Sequence, residues 1–360
     1  MEEDYYYEDL KTFIKIWLIA ISCICYCYLI SSRISNVFPR LLSIIPVIIL
    51  FFILPLHLST FNLTGLTFIY IAWLANFKLV LFAFNQGPLA STPRLPFKVF
   101  VAVALFPIIP KQKFTSNNKK SVSAPAPTSV PVPSHKPVLL ALKAIILAII
   151  VTSYPYKDKY FNSDAIKVLY YCHLYLGLEL FYATTVLIVK MIFLGFNFEI
   201  EPQFNEPYLA TSLQDYWGRR WNLMATNVLR PTVYNPLRNI FTPIFGTFWS
   251  KIPAIFVTFV VSGLMHELMY FYFTRELPTW EVTWFFVLHG VCTFVEVIVK
   301  KFINRRLWLP WVVSGPITLA FVVVTSDRLL FPQLIRNGID VKVVDEYLAF
   351  VNYILGPKRE

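Results

Sequence analysis

Charge is what this chain has least of. Of 360 residues only 15% are Asp, Glu, Lys or Arg, while 57% are hydrophobic; soluble domains carry about a quarter charged residues. The deficit excludes an ordinary water-soluble fold, because the apolar segments run almost end to end and length no longer counts soluble domains. A disulfide framework or zinc site is excluded too. The five cysteines, Cys23, Cys25, Cys27, Cys172 and Cys292, are odd in number, lie in apolar runs and form no CxxC pair with a histidine partner. That leaves packing as their role and no metal site. No P-loop, GxGxxG, GxSxG elbow or HExxH occurs, so nucleotide hydrolysis, hydride transfer and serine hydrolysis have no support. A secretory signal is not evident: residues 1–9 are acidic where a signal is basic, and no small-residue cleavage site follows residues 13–30.

What is present is a succession of membrane-length segments, each near the ~20 apolar residues needed to cross a bilayer. They fall at 13–30, 41–56, 63–84, 97–109, 138–153, 165–196, 252–273, 282–299 and 307–325. The chain reads as an all-α polytopic membrane protein, one membrane-embedded domain over 1–360 with about eight or nine transmembrane helices. The 97–109 segment is short enough to be tilted or re-entrant, and 165–196 long enough to be strongly tilted or broken near Gly177. Residues 341–355, interrupted by Lys342, Asp345 and Glu346, read as interfacial.

Two connections differ in kind. Residues 111–137 hold Lys111, Lys113, Lys119, Lys120 and Lys136, no acids, and a Pro/Ala/Ser/Val stretch, the composition of a flexible cytosolic loop. Residues 197–251 mix Trp217, Trp221 and Trp249 with Arg219, Arg220, Arg230 and Arg238, a combination suited to a cytosolic membrane surface. The net charge of +11 then reflects topology and contact with membrane lipids rather than nucleic acid. Counting nine crossings puts both connections and Lys300, Lys301, Arg305 and Arg306 on the cytosolic side. It puts the N-terminus there as well, but leaves Arg33 and Arg40 lumenal, against the positive-inside rule.

The chemistry concentrates at His266, a titratable imidazole inside an apolar span, where ionisable groups are costly and mark function. Ser262, Gly263 and Tyr270 share its helix face, placing Ser262 and Tyr270 to bond the ring or a substrate and Gly263 to admit a close neighbour helix. Glu267 points about 100° away, toward an acceptor pocket or a polar partner. Asn222 closes the Trp/Arg run with an amide able to polarise a thioester or to cap a helix. Between Tyr216 and His266 there is no acid, only Arg219, Arg220, Arg230, Arg238 and Lys251, as recognition of cosubstrate phosphates or lipid head groups requires. His289 reads as packing or cavity-facing, and Glu179, with Tyr175 and Tyr182, as part of a polar groove.

The stretches Trp73–Lys78, Asn205–Asn222, Val261–Tyr270 and Glu281–Gly290 resemble plant wax synthases, the long-chain-alcohol O-fatty-acyltransferases within the membrane-bound O-acyltransferases. The similarity covers nearly the whole chain. It implies that fold, the endoplasmic reticulum membrane as location, acyl-CoA as cosubstrate without a cofactor, and a lipophilic alcohol as acceptor. It maps the superfamily's catalytic histidine and upstream asparagine onto His266 and Asn222, and makes 252–325 the catalytic-histidine helix and the spans that follow. Substrate contact is expected from Trp217, Arg219, Arg220, Trp221, Arg230, Glu267, Ser262 and Tyr270. Esterification of a long-chain fatty alcohol comes first, ahead of acetyl transfer to diacylglycerol or acylation of a sterol. A transporter would show matching broken repeats, and no internal repeat is found; a non-catalytic scaffold would keep the motifs without activity.

Overall fold

The computed structural model describes residues 2–91, 94–110, 137–192, 198–200, 203–303 and 309–355. Eight helices in it are long and apolar enough to cross a membrane: Tyr6–Arg33, Val37–His57, Phe61–Ala83, Val138–Tyr156, Ser163–Ile192, Lys251–Thr274, Glu281–Phe302 and Trp311–Arg336. The described residues form two compact units, Met1–Pro107 with Glu206–Glu360, and Ile108–Asn205. The lysine-rich loop expected at 111–137 lies outside the described residues save for Pro137, as do Arg305 and Arg306.

The ninth expected span does not form. Residues 97–109 supply only the helix Phe97–Leu105, which at about 1.5 Å per residue covers less than half of a hydrocarbon core. Phe106 is extended because Pro107 follows it, and a proline ring disfavours helix in the residue before it. Lys78, buried on a neighbouring span, donates to the carbonyls of Val103 (2.6 Å) and Phe106 (2.7 Å) and so terminates the short helix with a cation.

In the larger unit, α1 (Glu2–Leu29), α2 (Val37–Ile53) and α3 (Phe61–Ala83) come first. The enclosed member is α3, with 78% of its apolar window buried against 22% and 28% for its two predecessors. The N–H groups at its start are satisfied by carboxylates from both ends of the chain. Asp9 accepts from the N–H of Thr60 (2.9 Å), its hydroxyl (2.6 Å) and the N–H of Ser59 (3.1 Å). Glu346 accepts from the N–H of Phe61 and from Asn62 at both its backbone N–H (2.9 Å) and Nδ2 (2.8 Å). Burial pushes the Glu346 carboxyl above its ordinary value, and these N–H bonds pull against that shift.

The smaller unit pairs α4 (Pro137–Ser153) with α5 (Ser163–Ile192). The second helix runs unbroken through Gly177. Glu179 is buried in an ion pair with Lys143 (2.6 Å), whose ammonium also reaches the Tyr175 hydroxyl (3.2 Å). Two three-residue strands, Ile108–Pro110 and Phe198–Ile200, pair antiparallel as a minor departure from the all-α reading.

Chain order continues in the larger unit with α6 (Asn235–Trp249), α7 (Lys251–Thr274), α8 (Glu281–Phe302), α9 (Trp311–Thr325) and α10 (Ile339–Leu355). On α6, Ile240, Ile244, Phe245 and Trp249 are exposed, an apolar face of the kind an interfacial helix presents to lipid.

Losing one crossing turns the N-terminus over. Asp9 meets Ser59 at one end of the unit, where Arg275, ending α7, donates to the carbonyl of Leu58 (2.7 Å) and Lys342 to that of Ser59 (2.6 Å). The opposite end holds Arg40 on the carbonyl of Ile34 (2.7 Å), Arg94 on the Ser32 hydroxyl (2.6 Å) and Lys300 on the Ser212 hydroxyl (3.0 Å). The acidic N-terminus is therefore opposite Lys300, not beside it, and Arg40 joins the basic end. In a variant without native cysteines, single cysteines at Tyr7 and Lys301 should react with an impermeant maleimide from opposite sides of a sealed microsome; labelling from one side restores the ninth crossing.

Candidate active site

The position of His266 follows from how closely α7 and α8 approach. A Cβ on Gly263 would stand 3.2 Å from Thr283 Cα and 3.3 Å from Phe286 Cβ, and one on Gly290 only 2.8 Å from Phe259 Cβ. Two glycines, one per helix, thus let the backbones close up, and the second admits no side chain without displacement. The contact brings Phe286 onto the His266 ring, stacked at 4.2 Å and 30°. Trp73 of α3 meets the same ring edge-on, at 5.0 Å and 90°.

His266 Nδ1 lies 2.7 Å from the carbonyl oxygen of Ser262. A carbonyl only accepts, so Nδ1 carries the proton and the neutral ring presents its lone pair at Nε2. No described residue bonds Nε2. Ser262 therefore contributes through its backbone, fixing the tautomer a general base needs. The imidazole sits about 22 Å along α7 from Lys251 and about 12 Å from Thr274.

The structure gives Glu267 and Tyr270 other partners than substrate. Glu267 is 3% exposed and accepts from the N–H of Trp280 (2.8 Å) and from the N–H (3.2 Å) and hydroxyl (3.1 Å) of Thr283. Both its oxygens serve the first turn of α8, where a negative charge is favourable against unpaired N–H groups. The Tyr270 hydroxyl donates to the carbonyl of Leu330 (2.7 Å) and ties α7 to the turn after α9.

Trp217 is held from behind. Its indole N–H donates to His289 Nδ1 (3.0 Å), His289 Nε2 lies 2.8 Å from the Thr325 hydroxyl, and that hydroxyl donates to the carbonyl of Phe321 (2.7 Å). An indole N–H can only donate, which makes Nδ1 the acceptor and Nε2–H the next donor. The relay leaves no member unsatisfied and explains a histidine 0% exposed between three helical segments. Trp217 in turn packs on Phe286 at 5.7 Å, one ring from His266, so the Trp/Arg segment reaches the depth of the base. Trp221 stacks on buried Tyr216 at 5.5 Å and 13°, and burial pushes the Tyr216 phenol far up from its ordinary value.

Asn222 occupies a left-handed backbone position (φ 40, ψ 63), and its Oδ1 accepts from the N–H of Ala225 (3.2 Å). It is thus the N-cap of the helix Leu223–Leu229, a position asparagine tolerates and favours. No hydrogen bond joins it to His266 among the described residues, and its Nδ2 bonds none of them. Arg220 is held by Asp215 (2.7 Å), the acid just before the acid-free stretch, and by the carbonyl of Glu206 (3.2 Å). Arg219 and Arg230 are exposed.

Of the expected site residues, Ser262 bonds the His266 ring and Trp217 packs on Phe286, one ring away, while Arg219, Arg220, Trp221, Asn222 and Arg230 follow Trp217 in the chain. Trp73 and Phe286 form the ring's surroundings without having been singled out. Both lie in the aromatic stretches quoted above, but neither titrates, so a search for ionisable groups passes over them. Replacing Glu267 by Ala strands the N–H groups of Trp280 and Thr283 and should cost about 1–3 kcal/mol. Gln, which keeps one acceptor, should cost less, as melting in detergent will read; equal melting for Ala and the parent removes the cap from the account of α8.

Comparison with known proteins gives the family. Residues 200–288 match the membrane bound O-acyl transferase family. A long-chain-alcohol O-fatty-acyltransferase of Simmondsia chinensis is 44% identical over 96% of both chains. An acyl-CoA–sterol O-acyltransferase of Arabidopsis thaliana is 41% identical over 98% of both, and a probable long-chain-alcohol O-fatty-acyltransferase from the same plant 42% over 96% of both. The chain belongs to the membrane-bound O-acyltransferases and is a multi-pass acyltransferase.

Proposed function

We propose that the protein transfers an acyl group from acyl-CoA to the hydroxyl of a long-chain fatty alcohol, forming a wax ester in the endoplasmic reticulum membrane. The observation that carries this reading is His266, whose Nδ1–H is fixed on the Ser262 carbonyl, leaving the Nε2 lone pair of a ring packed against Phe286 and Trp73. The alcohol oxygen attacks the thioester carbonyl carbon as Nε2 takes the hydroxyl proton. The C–O bond forms, the C–S bond breaks, and the proton passes from Nε2 to the departing thiolate. General-base help of this kind gives about 10²–10⁴-fold. The apolar surroundings keep water from competing for the thioester.

The donor is assigned to the basic end, which the positive-inside rule makes cytosolic. There Arg219 and Arg230 are exposed, so that their guanidinium groups meet phosphates in this reading, and Arg220 pairs with Asp215. In this reading the Nδ2 amide of Asn222 donates to the thioester. A sterol acceptor is the second reading, favoured by the 41% identity to a sterol acyltransferase.

Microsomes from yeast lacking its own neutral-lipid acyltransferases, expressing the protein and supplied with palmitoyl-CoA and hexadecanol, should yield hexadecyl palmitate. His266→Ala should lower the rate at least 100-fold. Sterol esters in place of wax selects the second reading, and unchanged turnover in the variant removes His266 as base. Arg230→Ala should raise the KM for acyl-CoA several-fold while leaving that for the alcohol alone; a shift in the alcohol KM instead would move Arg230 off the donor side.

A further inference from the structure

Among buried polar atoms of the larger unit, the indole nitrogen of Trp73 stands out. The side chain is 2% exposed, and its Nε1–H has no hydrogen-bond partner among the described residues. Buried donors without partners are rare in native structures and ask for an explanation, commonly a ligand or water. The indole N–H of Trp217 is engaged by His289 at 3.0 Å, whereas that of Trp17, like that of Trp73, has no partner among the described residues; what distinguishes Trp73 is where it stands.

Two further observations place the orphan at the chemistry. The Trp73 ring lies 5.0 Å from the His266 ring. Its backbone belongs to a π-helical stretch, Phe68–Ala75, within α3, the longest of four among the described residues, and such wide turns occur frequently at functional sites. On the same span, Asn76 Oδ1, Thr67 Oγ1 and Thr64 Oγ1 are also buried without partners among the described residues.

Among the described residues Trp73 offers a donor with nothing to bond, and His266 an Nε2 acceptor that none of them bonds. A hydroxyl is the group that answers both, because its oxygen accepts from one while its hydrogen is given to the other. A thioester carbonyl only accepts and leaves Nε2 empty. We propose that Trp73 is a substrate-binding residue whose Nε1–H holds the oxygen of the acceptor alcohol, aiming its proton at His266 Nε2. The inference rests on the acyl-transfer reading above. It also accounts for acceptor chemistry: a thiol of equal length, whose sulfur accepts weakly, gains little from the indole.

The test compares the parent with Trp73→Phe and with 3-benzothienylalanine incorporated at position 73, which keeps the bicyclic shape and lacks the N–H. Wax-ester formation is followed against hexadecanol and, separately, against palmitoyl-CoA. The parent's own activity decides the acyl-transfer reading first. With that activity present, the expected result is a roughly tenfold rise in the alcohol KM at unchanged KM for palmitoyl-CoA. The parent's preference for hexadecanol over hexadecanethiol should shrink by the same factor. An unchanged alcohol KM and unchanged alcohol-to-thiol ratio in the benzothienyl variant overturns the proposal. So does a fall in kcat with both KM values and the ratio intact, since that assigns the N–H to the oxyanion. If Trp73→Phe fails to fold, the near-isosteric variant decides alone.

Discussion

At bilayer depth a carboxylate and the first N–H groups of a helix are each costly, and this fold settles each with the other. Glu267 serves the start of α8 and Asp9 with Glu346 the start of α3. On the basic side Glu296 accepts from the N–H groups of Leu213 (2.9 Å) and Gln214 (3.2 Å), at the head of the segment that carries Trp217. Each of these carboxylates joins elements that are separate in sequence or turn a corner between spans. The arrangement sets which helix begins where, and therefore how deep each side chain lies.

The surroundings of His266 depend on that scaffold. With α8 started by Glu267 and drawn against α7 at Gly263 and Gly290, Phe286 lies on the imidazole and His289 lies behind Trp217. Polar groups near the base fall into two kinds. Those of His289, Tyr270 and Glu267 are matched by protein partners and hold the frame, whereas His266 Nε2 and Trp73 Nε1 find none among the described residues. In a low-dielectric interior a satisfied network rigidifies and an unsatisfied pair invites a ligand, so the division between frame and site follows hydrogen-bond completeness rather than residue type.

Much of this was legible in the chain. Apolar length gave eight of the spans, and the aromatic and basic run before α7 marked the segment that reaches the histidine. The crossing at 97–109 misled because hydropathy does not see Pro107 ending a helix or Lys78 supplying its last carbonyls with a cation. Glu267 beside His266 read as lining an acceptor pocket or meeting a polar partner on another helix; its direction, about a third of a turn away, carries it to α8. Whether Asn222 caps a helix or meets a substrate was open from residue type; its Oδ1 caps, and its Nδ2 remains. Trp73 could not be distinguished from a packing tryptophan, because the absence of a partner shows only in three dimensions.

The corner at the start of α3 also sets an order in time. Asp9 is made before α3, but Glu346 lies 285 residues beyond Phe61. At ordinary synthesis rates that separation is on the order of 15–60 s. Until Glu346 is made, its bonds to Phe61 and Asn62 cannot form, whereas Asp9 already precedes Ser59 and Thr60. A residue of α10 completes a junction begun by the first helix. Closure of the larger unit at this corner is therefore a post-insertion event, and a chain that stalls before α10 presents unfilled backbone donors beside its own N-terminus.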